Sequence, residues 1–183
     1  MNFNKHSAYK GSHSFLSASK YHWLRYDDSK LETYFLNAQA AARGTRLHAV
    51  ASECIDLNLK MPRTASTFNL YVNDAINFKM NTEQVLYYSD NCFGTADAIS
   101  FRNNKLRIHD LKTGTTPAHI EQLEIYSALF FLEYGYDLSK VKIELRIYQN
   151  DEVLIHKPKI EEISDIMNKI VHFDSILDEI KNK

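Results

Sequence analysis

Hydrophobic residues change their period along the chain, and the changes outline its elements. The opening, MNFNKHSAYKGS, is polar and aperiodic, so residues 1–13 are expected to be loose. SASKYHWLRY then reads as a short helix with Ser17 or Ser19 as its cap. A helical stretch near 29–41 precedes ARGTRLHAVASECIDLNL, where Leu47, Val50, Cys54 and Leu57 recur at spacings of three and four and form one helical stripe. TASTFNLYVNDAINFKM supplies another helix, starting after Pro62, so residues 14–80 read as mainly helical.

Beyond residue 80 the pattern becomes that of strands. EQVLYYS, FGTADAISF and KLRIHDLKT follow one another, and HIEQLEIYSALFFLEYG then returns to a helix that ends at Gly135, a left-handed cap. KVKIELRIYQ and EVLIHKP pair across Asn150-Asp151, and an amphipathic helix at about 159–181 closes the chain. The order of helices, three strands, helix, two strands and helix predicts an α/β fold. It is read as a single domain, residues 1–183, with a central mixed sheet over 84–156 flanked by helices, an inserted helix at 119–134 and an N-terminal helical part.

Composition narrows the class. A chain of 183 residues fits one domain and can bury a core without metals or disulfides. Its formal net charge of -1 does not suit a protein that coats nucleic acid non-specifically, so any such contact must be local. Residues 1–50 carry seven Lys or Arg against three acids, and residues 151–183 carry five against eight. The basic first part also holds Tyr9, Tyr21, Trp23 and Tyr26, which suit either a solvated helix over core aromatics or a surface on which bases stack. Two cysteines, Cys54 and Cys92, cannot supply the four thiolates of an iron–sulfur cluster. They read as idle thiols and, with no signal-like start, lead to an expected cytoplasmic location. No apolar run approaches the length of a membrane span.

Chemistry concentrates in GTADAISFRNNKLRIHDLKTG. With Asn103-Asn104 as a two-residue turn, Phe101 faces Leu106, Ile99 faces Ile108, and Asp97 faces Asp110. Opposed residues share a face, and like charges there are destabilising, so either one acid holds a proton or a cation sits between them. Oxygen ligands of this kind suit Mg²⁺ or Mn²⁺. Lys112 lies two residues past Asp110 and points to the same side, whereas His109 alternates away and is left out of the site. Gly94, Ala96, Ala98 and Ser100 would present small side chains on the opposite face, where a helix can pack closely.

GTADAI, IHDLKTG and QLEIYSALF together resemble the core of the PD-(D/E)XK nuclease superfamily, closest to its RecB-like and phage exonuclease branch. That branch has a G-T-x-x-H helix, an aspartate after a glycine, a D-x-K strand and a Q-x-x-x-Y helix. Here the matching residues are Gly44-Thr45 with His48, Gly94 with Asp97, Asp110 with Lys112, and Gln122 with Tyr126. LSASKYHWL is similar to the opening helix of that branch, and the resemblance runs from residue 16 to about 148. The chain lacks the four cysteines of the cluster-bearing members.

The resemblance implies a restriction-endonuclease-like αβββαβ core and metal-dependent hydrolysis of DNA phosphodiesters. It implies that Asp97, Asp110, the Leu111 carbonyl and His48 hold Mg²⁺ or Mn²⁺, and that Lys112 steers the attacking water. By the same resemblance Gln122 and Tyr126, one helical turn apart, border the site. Glu53, five positions past His48, falls on another side of the helix and is read as solvated. Thr113, Thr115 and Thr116 are loop residues or phosphate contacts. The expected function is a phage-type exonuclease in DNA recombination, replication or repair. The alternatives are an endonuclease on branched or single-stranded DNA, or a non-catalytic DNA-binding module that kept the fold. DNA is the expected partner. Family analogy adds a single-strand annealing protein or helicase and a homo-oligomer.

Overall fold

The computed structural model describes residues 4–182. It divides into a compact unit up to Arg43 and a second from Gly44 onward. The first unit contains short 3-10 segments at Ser7–Tyr9 and Ala18–Arg25 and the first half of a long helix, α1 (Asp28–Asp56). Phe15 packs against Tyr34 and Phe35 with ring centroids 5.0 Å apart in both pairs, and Trp23 donates its indole N–H to the Ser17 carbonyl. Where a capped α-helix was expected, the chain is 3-10 and leaves helical geometry at Lys20. The Ser17 hydroxyl is engaged with that of Ser19, 2.8 Å away, and makes no capping bond. The opening residues expected to be loose include the 3-10 turn at Ser7–Tyr9, and residues 1–3 of that stretch lie outside the described residues.

The two helical stretches expected before residue 57 are one helix, because Ala38, Ala40, Ala41 and Ala42 join them with the strongest helix former. The stripe is only partly packed, with Cys54 against the core. Val50 and Leu57 are 48% and 61% exposed, while the buried positions of α1 are Gly44, Ala51 and Ile55. Small residues on that side let the helix backbone approach its neighbours closely.

The second unit is the α/β fold: five strands with α2 (Thr67–Asn77), α3 (Glu121–Tyr134) and α4 (Ile160–Lys181). The strands are β1 (Asn81–Ser89), β2 (Cys92–Arg102), β3 (Lys105–Leu111), β4 (Lys142–Gln149) and β5 (Glu152–His156), hydrogen-bonded in that order. All neighbours are antiparallel except β3 and β4, which are parallel because α3 carries the chain across between them. Asn103-Asn104 and Asn150-Asp151 turn the two hairpins with φ between 51° and 61°, and Gly135 ends α3 at φ 67°. The β2–β3 register is the one the sequence predicts, with Ile99 opposite Ile108 and Phe101 opposite Leu106.

Each face of the sheet has its own core. Leu106, Ile108, Ile143, Leu145 and Ile147 pack with Leu123 and Leu129 of α3 and Ile163 of α4. On the other face Leu111 and Tyr148 pack with Ala51 and Ile55 of α1 and Tyr71, Val72 and Ala75 of α2. Alternation along β3 therefore sends Asp110 toward α3 and His109 toward α2.

His109 is fully buried, edge-on to Phe78, with Nδ1 3.2 Å from the Tyr148 hydroxyl. Burial, reinforced by Arg146 and Arg107 and opposed by Glu144, pushes its pKa down to about 3. The unfolded chain takes up that proton near 6.5, so it binds more protons than the folded one between those values. Stability is thus lost as pH falls through this window, by about 2 kcal/mol at pH 5. Urea unfolding at pH 7.5 and pH 5 should show this loss, and His109→Gln should abolish that part of the slope.

Candidate metal centre

The functional residues collect where the β2–β3 ladder stops. Its last backbone pair is Ala98 with His109, one short of Asp97 and Asp110. The next main-chain donor, the Leu111 N–H, is taken by Asp97 Oδ2 at 2.9 Å. A side chain thus replaces the backbone, and the carboxylate is held at the end of the ladder. From α1, His48 Nδ1 reaches the same oxygen at 3.3 Å. Gly44, one turn earlier, makes the approach possible: a Cβ there would lie 2.7 Å from Thr113 Oγ1, just past β3.

Asp110 is 3% exposed. Its Oδ1 accepts from Lys112 Nζ at 3.0 Å, while Oδ2 is buried with no hydrogen-bond partner among the described residues. Lys112 Nζ also donates to Gln122 Oε1 at 2.9 Å, and Gln122 Nε2 donates to the Tyr126 hydroxyl at 3.1 Å. Tyr126 is set against Gly94, where an added Cβ would lie 2.8 Å from the ring. The Asp110, Lys112, Gln122 and Tyr126 side chains therefore form one hydrogen-bonded chain from β3 to α3. The Thr113–Thr116 loop is held from below, with Gln149 donating to the Gly114 and Thr116 carbonyls.

Sequence reasoning missed Glu83. Its carboxylate and the ligand atoms of His48 and Asp97 all lie within 4.8 Å of one another. Asp110 stands outside that circle of three. Glu83 sits at φ 48°, and the β1–β2 ladder passes from Thr82↔Ala98 to Gln84↔Ala96 without pairing it, so it stands opposite Asp97. A plain two-residue turn at Asp90-Asn91 would put Gln84 there instead. The irregularity between Tyr87 and Ser89 moves the register by one residue and brings in the acid. The regular alternation expected for Gly94, Ala96, Ala98 and Ser100 is corrected at the same place. Gly94 and Ala96 lie on the α3 side with Ile99, and Ala98 lies on the other.

Charge is under tension throughout the cluster. Burial, and then Asp97, push the Asp110 carboxyl up, with Lys112 and His48 acting against the rise. The hydrogen bond to Asp97 holds His48 above its usual pKa despite its burial. Glu83 is raised by burial and by Asp97. Two acids raised beside Asp97, a buried oxygen without a donor and an imidazole thus meet at this end of the sheet. A divalent cation fits this donor set, since hard carboxylate oxygens suit Mg²⁺ or Mn²⁺ and the imidazole nitrogen favours Mn²⁺.

The sequence model of the family described as "Protein of unknown function (DUF2800)" matches residues 79–182, more than half of the chain. The chain belongs to this family. No solved structure matches it. The stretch matched to DUF2800 contains Glu83, Asp97, Asp110, Lys112, Gln122 and Tyr126, whereas His48 on α1 lies outside it. Among the described residues no helix is long and apolar enough to cross a membrane.

Glu83 makes a sharp test, because a non-glycine residue at positive φ is strained, at a cost of about 1 kcal/mol or more. Glu83→Gly should be more stable than Glu83→Ala by about 1 kcal/mol in urea unfolding, and both should bind Mn²⁺ more weakly than the wild-type chain in calorimetry.

Proposed function

We propose that the chain is a metal-dependent deoxyribonuclease of the PD-(D/E)XK type. The observation that carries this reading is the conjunction at the end of β2 and β3. There a buried Asp110 oxygen has no partner, and the His48, Glu83 and Asp97 ligand atoms cluster within 4.8 Å of one another. Lys112, meanwhile, is tethered between Asp110 and Gln122. His48, Glu83, Asp97 and Asp110 would hold Mg²⁺ or Mn²⁺, with the Leu111 carbonyl as the further ligand the resemblance implies. When bound, the cation supplies Lewis acidity to a phosphate oxygen and to the attacking water.

The other roles belong to the chain's own groups. Gln122 and Asp110 fix the Lys112 ammonium at the edge of the site, where it offsets the negative charge that builds as the phosphodiester is attacked. Tyr126 holds Gln122, and its fit against Gly94 sets the position of the whole chain of donors. A groove starting at His48 and Glu83 runs along α1 past Ser52, Glu53 and Asp56. Its acids repel a phosphodiester backbone, so the strand enters from the Lys112 and Gln122 side. The choice of DNA, the exonuclease mode and a role in recombination, replication or repair rest on the resemblance.

Purified protein should cut linear DNA with Mg²⁺ or Mn²⁺ and stop when EDTA is added. Asp110→Ala should abolish cutting while the fold is retained. Lys112→Met should slow it by about 10²-fold or more with metal binding intact. Linear duplex labelled at its 5′ and 3′ ends, run beside closed circles, separates exonuclease from endonuclease action. Binding of DNA without cleavage under any metal would instead favour a non-catalytic module.

A further inference from the structure

A second group of ligating side chains is made of residues the proposed chemistry does not use. Glu124 comes from α3, His156 from β5 and Glu162 from the first turn of α4. His156 Nε2 is 3.0 Å from Glu124 Oε1, and the ligand atoms of all three residues lie within 4.8 Å of one another. A tetrahedral ion bound at about 2.0–2.1 Å needs ligand atoms about 3.3 Å apart, so small side-chain rotations close this set around a cation.

Two further observations point the same way. Among the described residues neither carboxylate is in an ion pair with a lysine or arginine, so the imidazole is the one basic side chain beside the two acids. The Glu124 side chain is only 13% exposed, which leaves little water to screen it. Glu162 is also held in place, because its Oε2 accepts from the Lys159 N–H at 2.8 Å as α4 begins.

We propose that Glu124, His156 and Glu162 form a second divalent-cation site, selective for zinc over magnesium. One imidazole nitrogen with two carboxylates is a borderline donor set that suits Zn²⁺, with water in the fourth position. The ion ties β5 to α3 and α4. That strand is at the edge of the sheet and pairs only with β4, so a cross-link there restrains the element with the fewest sheet bonds. The proposal is independent of the nuclease reading, since none of the three residues belongs to the first site.

The test is a calorimetric titration of Zn²⁺ alone into an Asp97→Asn, Asp110→Asn double variant, which leaves Glu83 as the one carboxylate of the first site. One Zn²⁺ per chain should bind, and zinc should raise the thermal unfolding midpoint. In the same background Glu162→Gln, an exposed position that leaves the fold intact, should weaken binding by about tenfold or more. His156→Gln should remove stoichiometric uptake. No zinc uptake by the double variant, or uptake unchanged by Glu162→Gln and His156→Gln, would overturn the proposal.

Discussion

The Leu111 N–H meets Asp97 Oδ2 at 2.9 Å, and the organisation of this molecule follows from that hydrogen bond. It ends the β2–β3 ladder by substituting a carboxylate for a main-chain acceptor. A strand N–H buried without an acceptor would carry a penalty of about 1–3 kcal/mol. Asp97 removes that penalty and is itself immobilised. Its position then becomes the point on which α1, β1 and β3 converge. His48 bonds to the same oxygen, Glu83 stands opposite across β1, and Asp110 lies next along the interrupted register.

Convergence of that kind carries an electrostatic cost. Asp110 is nearly sealed from water, and the nearest compensating charge is Lys112 on one of its two oxygens. Burial, and then Asp97, raise the Glu83 and Asp110 pKa values, while the hydrogen bond to Asp97 raises that of His48. A divalent ion would give the buried Asp110 oxygen a partner. The left-handed backbone at Glu83 fits the same picture, because local strain of that sort persists only where the surrounding structure demands it.

Much of the architecture was legible because local rules governed it. Asn-Asn and Asn-Asp turns set two hairpin registers, Gly135 ended α3, and alternating apolar residues marked β2 and β3. The stripe on α1 is packed only in part, for a physical reason. Leu47, Val50, Cys54 and Leu57 have the right spacing, but the packed side of the helix is the one with Gly44 and Ala51, where small size matters more than hydrophobicity. Glu83 was invisible for a different reason, since its place opposite Asp97 depends on a one-residue irregularity that no turn residue announces.

The chain by itself determined the order of its elements, the pairing of β2 with β3 and the side of the sheet toward which Asp110 and Lys112 point. These depend on periodicity and turn chemistry, which act over a few residues. Tertiary structure alone decided that α1 comes close enough for His48 to touch Asp97 and that β1 slips to present Glu83. It also decided that Glu124, His156 and Glu162 meet from α3, β5 and α4. Contacts between elements far apart in sequence are set by how closely backbones pack and where a ladder bulges, and neither quantity is written in the spacing of residues along one element.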